Sequence, residues 1–277
     1  MRIIRRLFGK KAIAQPRRDV ASLVQPLTSP ALQLLQAPGS TRSYFGGDPD
    51  LPQDVPWPCK SGKRLTFVAR LSLAEIAAEH RLDWLPETGA LLFFYDVDEM
   101  PWGFDPKDRG SWVVVSVPDL AEPVRVQSRA GGNSIGGRSI RFAALRSMPS
   151  PDRAQVSGLK LNDAELDAFC DLSERSYGHC PKHQIGGFPQ VVQADGMELE
   201  CQLASNGVYC GNPAGYKSSR ASELGPGAAE WRLLLQVDSD DDLGVMWGDV
   251  GMIYFWVQEH AARTRDFSNV WLVLQCC

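Results

Sequence analysis

Short, dense apolar runs bounded by glycine, proline and acidic residues recur along the chain and predict strands more often than helices. Leu65-Thr66-Phe67-Val68-Ala69-Arg70-Leu71 reads as a buried strand. A glycine then opens the aromatic run Ala90-Leu91-Leu92-Phe93-Phe94-Tyr95, and Trp112-Val113-Val114-Val115-Ser116-Val117 closes the series. The same series returns later as Trp231 to Val237, then Met252-Ile253-Tyr254-Phe255-Trp256-Val257 behind Gly251, then Trp271 to Cys276. A paired-glycine corner stands ahead of each series: Gly46-Gly47-Asp48-Pro49 after Tyr44-Phe45, and Gly186-Gly187-Phe188-Pro189 after Gln184-Ile185. Four matches in one order predict an internal duplication over about residues 40–127 and 183–277.

Helical signals are fewer. Ser72-Leu73-Ala74-Glu75 has the spacing of a capping box and predicts a short helix over 72–80. Asn162-Asp163-Ala164-Glu165 opens a second helix running to about Ser173, and Met197 to Leu203 a third, ended by Asn206-Gly207. Residues 128–138 are too glycine-rich for either regular element and read as a loop. Strands that outnumber helices without regular interleaving predict an α+β fold. The expected architecture is a mainly antiparallel sheet built from two pseudo-repeated halves with few short helices, forming one domain over residues 19–277.

Composition adds exclusions. Of 277 residues, 44% are hydrophobic and 22% charged, as in a globular chain. The run Ala90–Tyr95 is far too short to span a bilayer, so no transmembrane segment is expected. The net charge of −4 disfavours general nucleic-acid binding. That charge is uneven. Residues 1–18 hold seven cations and no acid, leaving 22 cations against 33 acids in the other 259 residues. The amino end is read as a basic flexible tail, with contact to a membrane surface through Ile3, Ile4, Leu7 and Phe8 as the competing reading. No apolar signal region follows its charges. Seven cysteines, an odd number, then favour reduced thiols and a cytoplasmic location over a disulfide framework.

Several uncommon motifs occur in a fixed order: Gly46-Gly47-Asp48-Pro49-Asp50-Leu51-Pro52, Trp57-Pro58, His183-Gln184-Ile185-Gly186-Gly187-Phe188-Pro189, Leu233 to Asp240, Trp247-Gly248-Asp249, and Asp266-Phe267-Ser268-Asn269-Val270-Trp271. Together they resemble the YwqG-like family, a domain of unknown function, over roughly residues 40–276. The resemblance implies an α+β fold and no established activity. Where that family's first-half strand ends in a Gln-Ile-Asp type sequence, this chain has Arg70-Leu71-Ser72.

Candidate chemistry is sparse. The corners Gly46-Gly47 and Gly186-Gly187 permit positive φ and read first as structural turns, with an anion cradle made of their N–H groups as the competing reading. Neither is followed by the Gly-Lys-Ser/Thr of a P-loop. Cys170, His179, Cys180 and His183 cluster in sequence, but Gly178 and Pro181 oppose a helix there and no Cys-x-x-Cys knuckle exists, so no metal is expected. His183 reads instead as a hydrogen-bonding residue beside the second corner. Asp238, Asp240, Asp242 and Asp249 echo a calcium loop, yet Leu243 stands where its turn glycine belongs. No Gly-x-Ser-x-Gly elbow occurs, and Cys59 beside Lys60 lacks a base. Trp57, Trp102 and Trp247 lie in loop-like segments able to line a groove. The expectation is a binding or protein-interaction module without catalysis or cofactor, its surface gathered around His183, Gly186, Gly187, Trp247 and Asp249, with Gly46, Gly47 and Trp57 as further contacts. The alternative is an enzyme or metal-dependent protein using a His/Asp/Cys site near the second corner.

Overall fold

A computed structural model describes residues 18–52, 54–118, 124–125, 134–178 and 180–277. The expectations for residues 1–17, for the loop at 128–133 and for His179 lie outside the described residues. Ten strands form one sheet: β1 (Ser29–Gln36), β2 (Tyr44–Phe45), β3 (Thr66–Ser72), β4 (Ala90–Tyr95), β5 (Trp112–Val117), β6 (Arg138–Ser147), β7 (Gln184–Ile185), β8 (Trp231–Asp238), β9 (Met252–Gln258) and β10 (Trp271–Gln275). Their spatial order is β10-β9-β8-β7-β1-β6-β2-β3-β4-β5, and every pairing is antiparallel. With a few short helices against this sheet, the fold is α+β.

The predicted strands take corresponding places at the two ends of the sheet. β3-β4-β5 form one meander and β8-β9-β10 the other. A bulge interrupts β3 between Phe67 and Ala69, and another interrupts β8 between Leu233 and Leu235. Tyr44 lies opposite Arg70 just as Gln184 lies opposite Gln236, so each two-residue strand feeds its paired-glycine corner into the same register position. The ends of the sheet approach each other. Trp112 Nε1 donates to the Val270 carbonyl at 2.9 Å, and the Trp112 and Trp271 rings meet edge to face at 5.0 Å. Phe93 of β4 meets Phe255 of β9 at 5.2 Å inside a core cluster drawn from both halves. Gly103 closes the seam at φ +88°, where a methyl group would overlap the Leu272 carbonyl.

Between the meanders lie two strands that the sequence reading left unassigned. β1 and β6 pair over eight residues, from Ser29 opposite Ser147 to Gln36 opposite Ile140.

The helices used below are α1 (Val20–Val24), α2 (Leu73–Glu79), α3 (Asp163–Tyr177) and α4 (Met197–Ser205). At α3 the capping box is reciprocal, since Asn162 and Glu165 each bond the other's backbone N–H at 3.0 Å. α3 continues past the expected Ser173 because Tyr177 is buried at its last turn. At α2 the box is only half made. Ser72 accepts from Glu75 N–H at a long 3.5 Å, while the Glu75 carboxylate turns to the Ser43 hydroxyl at 2.6 Å and the Arg42 N–H at 3.0 Å. Arg18, assigned to the tail from sequence, is held by Glu165 through hydrogen bonds of 2.9 and 2.7 Å.

Candidate functional site

Three of the four N–H groups of the paired-glycine corners are spent on the protein itself. Gly46 donates to the Val68 carbonyl at 2.9 Å, Gly47 to Ile135 at 3.0 Å and Gly186 to Leu233 at 2.9 Å. At Gly187, with φ +67°, a methyl group would overlap the Ser147 hydroxyl. That hydroxyl in turn accepts from Phe188 N–H at 2.8 Å and donates to the Ser29 carbonyl at 3.2 Å. Glycine is required here by close approach of β6 as well as by backbone conformation. With these donors satisfied, the corners act as joints that bring β2 and β7 against their neighbours.

His183 stands one residue before β7 and is 4% exposed. Its Nδ1 accepts the Asp238 N–H at 3.1 Å, which leaves the ring proton on Nε2 to face Asp240 Oδ2 at 3.0 Å. The ring also packs on Phe45 beside the first corner, at 4.7 Å between centroids. The hydrogen bond from His183 holds the Asp240 carboxyl below its usual range. The other carboxylates of the acidic segment diverge. Asp238 accepts from Lys182 N–H at 2.9 Å and Asp242 from the Gln36 amide at 3.1 Å, while Asp249 is exposed. No cluster of three or more potential metal ligands occurs among the described residues.

The tryptophans divide. Trp247 is 1% exposed, with its indole N–H on the Asp238 carbonyl at 3.1 Å and its ring edge to face with Tyr95. It lines a depression of about 240 Å³ beside Ile135 and Met246. Trp57 is half-buried, donates to the Leu65 carbonyl at 2.8 Å and lies under the Arg64 guanidinium at 5.0 Å. Neither lines the wider recess next to Gly187.

That recess is a cleft of about 1130 Å³ on the other side of the second corner, and Gly187 and Phe188 form part of its wall. The segment after α2 contributes Leu82 and Trp84, the segment before β8 contributes Ala228, and β8 and β9 contribute Trp231, Leu233 and Trp256. Leu82 reaches the corner itself, since a Cβ on Gly186 would stand 3.1 Å from it. Arg153 closes one end. It binds Asp195 with two hydrogen bonds of 2.7 and 2.8 Å and Glu198 with one of 2.7 Å, and it lies over the Phe188 ring at 4.8 Å. A bidentate pair of this kind fixes the start of α4 relative to the loop after β6.

The remaining charges of the wall are Arg81, Arg232, Asp83 and Asp152. Arg81 pairs with Glu87 at 2.9 Å, and Arg232 with Glu259 at 2.6 Å. Trp231 gives its indole proton to Gln202 at 2.8 Å, whereas Trp256, only 1% exposed, has a buried indole N–H with no partner. A recess with aromatic walls and a few placed charges is suited to binding an organic ligand.

Of the residues expected from sequence, the structure thus brings Gly187 to the cleft and Gly186 directly behind it. It places His183 in a buried link, and Trp247 and Asp249 on a separate turn. Sequence reading missed Arg153, Asp195, Glu198, Trp84 and Trp256 as cleft residues. Trp256 lay within a predicted strand, but Met252 to Val257 are all buried, so the continuous apolar run shows no alternation to tell which face it occupies.

A family model described as Domain of unknown function (DUF1963) matches residues 43–276. No curated protein matches the chain.

Proposed function

The chain belongs to this DUF1963 family, a domain of unknown function, and from that premise we propose that it is a non-catalytic binding module whose ligand enters the cleft beside the second Gly-Gly corner. The observation that carries this reading is the make-up of the wall. About 1130 Å³ of recess is bounded by Trp84, Trp231, Trp256 and Phe188, and its arginines are paired with carboxylates rather than a nucleophile with a base. We further propose the finer YwqG-like kinship and the duplication. The matching meanders, the two bulges and the shared register of the corners support an origin from two related halves. A cytoplasmic location is proposed from the odd cysteine count, and the seven cysteines are unpaired.

The catalytic alternative has the His183–Asp240 contact in its favour. Both nitrogens of that ring already hold partners and the pair is buried, so it offers no free base to a substrate. The cleft is tested with Nile red, a neutral apolar dye whose emission shifts to the blue on burial. One dye per chain should bind with saturation, and Ala228→Trp, which sets an indole into the cleft from its wall, should abolish binding while leaving the melting temperature unchanged. Equal dye binding by both proteins, or none by either, would remove the cleft as the ligand site.

A further inference from the structure

Resting on the cleft being the ligand site, we propose that its ligand is a basic peptide segment, held by its apolar and cationic side chains and by a main-chain carbonyl. Three independent features of the wall carry this. The first is charge. The wall carries Asp83, Asp152, Asp195 and Glu198 against Arg81, Arg153 and Arg232. Each arginine is already committed to a carboxylate of the protein, with Glu87 and Glu259 bound from behind the wall. An anionic ligand therefore finds no unpaired guanidinium, whereas a cation meets carboxylates with capacity to spare. Asp152 has no partner for its carboxylate among the described residues, and Asp83 has only Arg81 at 3.7 Å, with its side chain 88% exposed. An uncompensated carboxylate at the mouth of a low-dielectric recess attracts cations more strongly than one on an open surface.

The second feature is the aromatic lining. The partly buried Trp84 and Phe188 offer apolar area to aliphatic stems and ring faces to ammonium or guanidinium groups, while Trp231 and Trp256, 3% and 1% exposed, add little accessible area. The protein already uses one of these faces in this way, with Arg153 set over Phe188. The third feature is the Trp256 indole N–H, a buried donor without an acceptor in the wall of the same cleft. Leaving such a donor unmet costs free energy that an incoming carbonyl recovers. A peptide supplies a carbonyl at every residue beside its side chains, and a recess of about 1130 Å³ has room for several residues. A free amine has the charge but brings no such acceptor.

The experiment uses the full chain and a fluorescein-labelled hexapeptide of alternating leucine and arginine, with a leucine–glutamate hexapeptide as the comparison, read by fluorescence anisotropy. The basic peptide should bind at least tenfold more tightly than the acidic one and displace Nile red. Asp83→Asn with Asp152→Asn should weaken it about fivefold, both side chains being exposed and holding no hydrogen bond among the described residues. Trp256→Phe, which keeps the ring and removes the donor, should weaken it about threefold, and Ala228→Trp should abolish it. Equal affinity for both peptides, or peptide binding that persists in Ala228→Trp, would overturn the proposal. So would Nile red entering normally while neither peptide displaces it, and in that case the cleft reading stands and only the ligand class falls. If Nile red itself does not enter, both readings fail together.

Discussion

His183 and Asp249, two residues singled out by the same sequence argument, meet opposite environments and should respond oppositely to mutation. Removing the imidazole strands the Asp240 carboxylate and the Asp238 N–H in a site where His183 is 4% and Asp240 8% exposed. His183→Ala should therefore cost about 2–4 kcal/mol. Asp249→Asn changes an exposed side chain and should stay within about 0.5 kcal/mol. Urea unfolding of the two variants decides it, and a cost below 1 kcal/mol for His183→Ala would refute the buried link. Because Asp240 is held below its ordinary range, its contribution is present above that range and is lost as pH falls through the depressed value. The residue type and the neighbouring corner are enough to predict hydrogen bonding at His183. They did not reveal Asp240, 57 positions away, as its partner. Trp247 was misleading for a related reason. A tryptophan flanked by glycine reads as a loop residue, yet here the loop folds back so that the Asp238 carbonyl meets the indole N–H. Arg153, Asp195 and Glu198 gave no sequence signal at all, since ion pairs joining separate loops follow no spacing rule.

Elements were legible where their pattern was regular and obscured where it slipped. The two meanders stood out because their runs are bounded by glycine and rich in aromatic and β-branched residues. β6 escaped notice because its buried positions change phase, from Ile140 and Phe142 to Leu145 and Ser147. β1 escaped because Ala31, Leu32, Gln33 and Leu34 are all buried in a row, with the Gln33 amide on the Tyr177 carbonyl at 3.1 Å. An element-scale prediction concerns α4 and the short helix Pro213–Tyr216 that leans on it. Burial pushes the Glu200 carboxyl up to about 7, and the Tyr216 hydroxyl donates to it at 3.2 Å. The folded protein therefore keeps a proton that the unfolded chain releases near the ordinary value of 4.5. Stability from this group is complete below about 4.5, declines as pH rises, and is fully lost above about 7. The side chain is partly exposed, so the loss should be about 1–2 kcal/mol rather than the full value of so large a shift. Glu200→Gln should remove that decline. Parallel unfolding midpoints for the two proteins from pH 4.5 to 7.5 would contradict the assignment.

At the scale of the whole molecule, the sheet depends on a strand outside the family match. The match begins at Ser43, while β1 ends at Gln36 and occupies the middle of the sheet. β1 pairs with β6 over eight residues and with β7 over two, and so joins these two strands in the stretch of sheet between the meanders. Without it, β6 and β7 would each present an unpaired edge, and the buried side chains of Ala31, Leu32 and Leu34 would leave a void through the core. The paired motifs read from sequence lie toward the ends of the sheet, and β1 and β6 of its middle fall outside them. Truncation separates the two contributions. A chain beginning at Arg18 keeps α1, β1 and the Arg18–Glu165 pair, and it should melt within about 2 °C of the full chain. A chain beginning at Ser43 retains every residue of the family match yet should show no cooperative unfolding transition by circular dichroism and tryptophan fluorescence. Cooperative melting of that shorter chain near the full-length temperature would mean that the halves close against each other unaided. β1 would then be an addition to the fold, and the contact of Phe93 with Phe255, rather than the central strand pair, would be what joins the two ends.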